Sequence, residues 1–96
     1  MEPLVIKQKN QGLIIYFNFL EDWDAFELIA NNLESKFRAT ITSKIDGPDS
    51  RIWKLSIENA HFTLRNDPYG NSLTSDSKEA DVKLQEIYNN WSSIVL

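Results

Sequence analysis

One histidine, no cysteine and fourteen scattered carboxylates make up the reactive inventory of this 96-residue chain. Nucleophilic catalysis needs an activated side chain beside a general base, and here His61 would have to serve alone. The alternation around it sets His61 opposite the inward Phe62, so it reads as a surface residue. Zinc takes several His or Cys ligands at close spacing, which the chain cannot supply. Asp46 with Asp49, and Asp67 further on, lie in turn segments, but neither segment carries the alternate-position ligands, central Gly and late Glu of a calcium loop. Asp at such positions is explained by side-chain hydrogen bonds to the local backbone. No glycine-rich phosphate loop exists either, with only three glycines present. Paired carboxylates can meet in any fold, yet two helices on one sheet of this length leave little room for a ligand pocket. Neither catalysis nor a cofactor is expected.

Residues suited to binding are more numerous. Three Trp, three Tyr and five Phe are many for this length. Most fall on apolar stripes, whereas Tyr16 reads as outward-facing and Tyr69 as carried on a turn, and Tyr is favoured at interface hot spots. Tyr69 either presents itself as an anchor or folds back over the sheet. Asp22, Asp24, Asp67 and Asp76 join these tyrosines as candidate partner-binding positions. The formal net charge of -4 gives no footprint for holding phosphates, so nucleic acid is not an expected partner. An acidic surface either steers a basic protein partner or serves solubility alone.

The elements that must carry these residues are marked along the chain. A short apolar run at 4–7, turn chemistry at Lys9-Asn10-Gln11-Gly12 and a second run at 13–19 predict an opening hairpin. Leu13, Ile15, Phe17 and Phe19 share one face of its second strand. Trp23, Phe26, Ala30, Leu33 and Phe37 then repeat at helical steps, with Asp24 as N-cap boxed by Glu27, or Asp22 as the competing cap. The acids at this helix start are stabilised by its dipole.

From Ala39 to Ile45 the pattern alternates again, setting Ala39, Ile41, Ser43 and Ile45 inward and Thr40, Thr42 and Lys44 outward. Trp53, Leu55 and Ile57 face inward on the next strand, and Phe62 and Leu64 on the one after, joined by a tight turn at Glu58-Asn59. The Asn66-to-Asn71 turn closes another hairpin. Its returning strand, with Leu73 the only large apolar residue, reads as a solvated edge. Asp76 with Glu79 predicts a second capping box before the stripe of Ala80, Leu84, Ile87, Tyr88 and Trp91. The tail 92–96 is apolar enough to dock.

The order is ββαββββα, an α+β domain over 1–96 built as an antiparallel meander with both helices on one face. The other face is left open, with Ile14, Tyr16, Thr40, Thr42, Lys44, Ile52, Lys54, His61, Thr63 and Arg65 expected on it. Without cysteine, a signal-peptide pattern at 1–10 or a span of roughly 20 apolar residues, a cytoplasmic location and no membrane partner are expected.

The stretch from Ile52-Trp53-Lys54-Leu55-Ser56-Ile57 through His61-Phe62-Thr63-Leu64-Arg65-Asn66-Asp67-Pro68-Tyr69-Gly70-Asn71 and into the last helix resembles small bacterial immunity proteins and related α+β proteins. The resemblance covers about the second half of the chain and transfers no individual residue. It implies a single-domain bacterial protein that blocks a cognate toxin, commonly a nuclease with a basic cleft. A second expectation from the residues is a subunit that self-associates through its open sheet face, as a homodimer.

Overall fold

The computed structural model describes residues 4–9, 12–17, 23–68 and 70–91, the first strand and position 23 through their backbone. The order is β1 (Leu4–Lys9), β2 (Gly12–Phe17), α1 (Trp23–Phe37), β3 (Thr40–Asp46), β4 (Arg51–Ile57), β5 (Ala60–Asp67), β6 (Gly70–Ser75) and α2 (Lys78–Asn90). The expected ββαββββα succession is therefore present, as one antiparallel sheet in the spatial order β1-β2-β6-β5-β4-β3.

That order corrects one expectation. β6 is not a solvated edge: it lies between β2 and β5, pairing Tyr16 with Ser72 on one side and Leu64 with Leu73 on the other. The β3-to-β6 run is a meander, and the β1–β2 hairpin adds to its far side. The edges are β1 and β3 instead. Central strands need backbone partners on both sides more than they need apolar side chains, which is why a polar strand fits here.

One face of the sheet carries the core. Ile15, Phe17, Trp53, Leu55, Ile57, Phe62, Leu64 and Leu73 meet Phe26, Ile29, Ala30 and Leu33 of α1 and Ala80, Leu84, Ile87 and Trp91 beyond them, all in one buried cluster. Both helices thus share that face. Trp91 packs edge-on to Phe17 and stacks on Phe37, bringing the ends of α1 and α2 together with β2.

Turns and caps complete the frame. Glu58 and Asn59 have φ of 48° and 71°, the left-handed pair that a two-residue hairpin requires. Gly12 faces the β6 end so closely that a Cβ would come within 2.9 Å of Ser75 Oγ, so a larger residue would force Ser75 to shift. α2 is capped by Ser77, whose side chain accepts from the Ala80 N–H at 3.1 Å. Asp76 is therefore not the cap. It lies one residue too early and turns to the sheet instead. Similarly, α1 begins at Trp23, so Asp24 sits inside its first turn rather than capping it. Asp22, Tyr69 and the tail 92–96 lie outside the described residues.

A β-bulge between Ile41 and Ser43 makes the largest change to the expected faces. Before it, Ile41 pairs with Leu55; after it, Ser43 pairs with Lys54, Lys44 with Trp53 and Ile45 with Ile52. An extra residue shifts the alternation by one. Lys44 consequently moves to the helix side, and Ile45, expected inside, lies on the open face at 60% exposure.

Candidate functional site

The open face is a lattice of cross-strand rows. Tyr16, Ser72, Arg65, Ile52 and Ile45 stand side by side across five strands. One row along are Ile14, Thr74, Thr63, Lys54 and Ser43, through the pairings Ile14–Thr74, Thr63–Thr74, Lys54–Thr63 and Ser43–Lys54. His61 and Ser56 form the next row, where the Asp76 N–H donates to the His61 carbonyl at 2.9 Å. The centre of this surface is polar and knit together. Lys54 Nζ donates to Thr63 Oγ1 at 2.9 Å, and the same hydroxyl donates to Asp76 at 3.0 Å. Ile45, Ile52 and Tyr16 frame it with apolar surface, Ile14 is buried, and Arg65 makes no ion pair among the described residues.

Of the candidate binding residues, Tyr16, Asp67 and Asp76 belong to this face by strand parity. Tyr16 is half-buried in the first row, half-buried Asp67 follows Arg65 on β5, and exposed Asp76 lies at the opposite end. Asp24 does not join them: it is exposed on α1, in the helix layer. The fold therefore sets Asp24 apart from Asp67 and Asp76. His61 is exposed, and its ring makes no hydrogen bond among the described residues.

Two polar constellations lie on the helix side. Arg51 is only 5% exposed, with Nε on Asp46 at 3.0 Å and a terminal nitrogen 3.4 Å from Glu27. Its guanidinium lies 4.7 Å from the Phe26 ring centre and 4.8 Å from that of Trp53. Trp53 donates its indole N–H to the same Asp46 oxygen at 2.8 Å, and Lys44 lies 4.5 Å from the Trp53 ring centre. The Arg51 hydrogen bond, then that of Trp53, holds the Asp46 carboxyl below its ordinary value. Beside this cluster Asn66 donates to Asn71 at 2.7 Å, both buried. Period-two spacing from Trp53 to Arg51 was the signal that this arginine points inward.

The second constellation closes the β2 end of the sheet. Beyond the last β2–β6 pair, the Leu13 N–H is received by Ser75 Oγ at 3.0 Å and by Asp81 of α2 at 3.2 Å, and Ser75 also donates to Asp81. The backbone donor left at the end of the ladder is thereby satisfied. Both constellations serve packing, with their polar atoms turned to one another rather than to a cavity.

A shallow cleft of about 270 Å3 opens between the end of α1, the β4–β5 turn and α2, lined by Lys36, Phe37, Arg38, Glu58, Lys83 and Glu86. Lys83 bridges Glu58 at 3.0 Å and Glu86 at 3.2 Å, and these two carboxylates raise its ammonium above the ordinary lysine value. No group of three or more His, Cys, Asp or Glu side chains gathers as metal ligands among the described residues. No described helix is long and apolar enough to cross a membrane.

Compared with known proteins, residues 3–88 match the family model described as a protein of unknown function (DUF3630). No curated protein and no solved structure matches the chain.

Proposed function

We propose, from the premise that this chain belongs to the DUF3630 family, that it is a non-enzymatic protein-binding domain whose docking surface is the open face of the sheet. The observation that carries this reading is the row Tyr16, Ser72, Arg65, Ile52 and Ile45, which runs across five strands on the face that neither helix covers. Arg and Tyr are enriched among residues that dominate interfaces. Isoleucines flanking them supply apolar area that gains by leaving water. Between these apolar flanks the Lys54, Thr63 and Asp76 network at the centre of the face supplies polar contacts.

Inhibition of a toxin is the specific form implied by the resemblance to immunity proteins, and the net charge of -4 is its support. Among the described side chains the open face carries Lys54 and Arg65 beside Asp67 and Asp76, a mixed surface rather than an acidic one. A toxin-blocking contact driven by carboxylates would draw on Asp24 of the helix layer as well. The test is calorimetric titration of the purified chain against products of neighbouring genes, comparing wild type with Ile45→Asp and Ile52→Asp. Binding weakened by both substitutions is expected. Binding indifferent to both overturns the docking face, and turnover of ester, phosphate or glycoside substrates that tracks the pure protein overturns the non-enzymatic reading.

A further inference from the structure

We infer that the occupant of the open face is a second copy of this chain, in an isologous dimer that sets Arg65 of each protomer against Asp76 of the other; this rests on the docking-face reading above. An isologous contact opposes a patch to itself. A face of one sign would therefore repel its twin, and a face suits self-pairing when opposite charges stand at positions that a two-fold axis exchanges.

This face meets that condition. The Thr63–Thr74 pair occupies its middle, with the Arg65–Ser72 pair one row to one side and His61, bonded to Asp76, one row to the other. Alternate residues on a strand are about 7 Å apart, so Arg65 and Asp76 are offset from the middle by nearly equal and opposite steps. A two-fold axis lying across the strands through the Thr63–Thr74 row exchanges their rows. Each Arg65, which makes no ion pair among the described residues, then lies over the Asp76 row of its partner. Lys54 stays near that axis, but it carries its own acceptors, Thr63 and Asp76.

The size of the face agrees. Six strands of six to eight residues, about 4.8 Å apart and rising about 3.3 Å per residue, make a plane of roughly 25 by 22 Å. A footprint of roughly 550 Å2 on each partner suits a small interface, below the ~800 Å2 of the standard size. Ile45 and Ile52 lie in the Arg65 row and add apolar area beside the charges. The edges offer no equivalent route at β3, where the bulge and Lys44 interrupt a continuous ladder.

Charge exchange gives the test. Arg65→Asp sets Asp against Asp at both contacts, and Asp76→Arg sets Arg against Arg. Mixing the two variants restores one native pair and one reversed pair. Sedimentation equilibrium of the wild-type chain should show a dimer. Each variant alone should dissociate at least about tenfold more readily, and their equimolar mixture should recover most of the loss. A wild-type chain that stays monomeric at every concentration overturns the second copy as partner and leaves the docking-face reading to its own titration. A dimer in which mixing recovers nothing overturns the Arg65–Asp76 pairing. A dimer untouched by both variants and by Ile45→Asp uses another surface and overturns the inference, while the docking-face reading stands or falls on its own titration.

Discussion

Arg51 shows how much a single side chain determines at one end of this sheet. It is buried among Phe26 and Trp53, hydrogen-bonded to Asp46 and paired with Glu27, so it ties β3, β4 and α1 to one guanidinium. Its aliphatic stem and planar head fill space as well as carrying charge. Arg51→Ala is expected to cost about 2 to 3 kcal/mol in urea unfolding, less than for a fully enclosed pair because the Asp46 and Glu27 side chains keep water access of 47% and 60%. A loss below about 0.5 kcal/mol would mean that the pocket repacks freely. The Asp46 carboxyl, held low by Arg51 and then Trp53, adds a pH signature. A depressed folded-state value stabilises above the unfolded value near 3.8 and loses that contribution as pH falls through the folded one. Wild type and Asp46→Asn should therefore differ in Tm at about pH 7 and draw together as pH falls below the unfolded value of 3.8. Convergence only on the alkaline side would refute this sign. The inward phase of Arg51 was legible in its spacing from Trp53, Leu55 and Ile57, but its acceptors were not, because Glu27 comes from a distant helix and Asp46 reaches it across a hairpin.

Elements carry the next level of order, and most of theirs was local. The α2 stripe Ala80, Leu84, Ile87 and Trp91 is buried as its spacing requires, and the Glu58-Asn59 turn follows from two residues that tolerate positive φ better than a branched pair would. The cap lies one residue later than the capping-box pattern predicts, since Asp76 and Ser77 are both good N-caps and Asp76 is drawn to Thr63 and Lys54. Ser77→Ala should accordingly cost about 1 kcal/mol in thermal unfolding. Were it neutral while Asp76→Ala carried a cap-sized loss, the assignment would reverse. The β3 bulge had no signal in its own segment. Strict alternation from Ala39 to Ile45 hid an inserted residue, and only pairing with β4, where Lys44 meets Trp53 and Ile45 meets Ile52, reveals it. Tyr16 and Arg65 lie on the open face as their spacing predicts, because their strands keep an unbroken period.

Across the whole molecule, the pairing of β2 with β6 is the contact that no local pattern announces. The strands of the β3-to-β6 meander meet their sequence neighbours, whereas Tyr16 reaches Ser72 past α1, β3, β4 and β5. A pairing this distant orders a long loop before any of its contacts repay that entropy. The meander should therefore consolidate first and the β1–β2 hairpin dock late. Leu55 on β4 and Ile15 on β2 are both fully buried, at 1% and 0% exposure, so each truncation to Ala should cost roughly 2 to 5 kcal/mol. The kinetic partition separates them. Leu55→Ala should act mainly by slowing folding, with φ above about 0.5, and Ile15→Ala mainly by speeding unfolding, with φ below about 0.3. Stopped-flow chevrons in urea measure both arms. Equal φ at the two sites would show β2 already seated in the transition state, and the late docking of the hairpin would then be wrong.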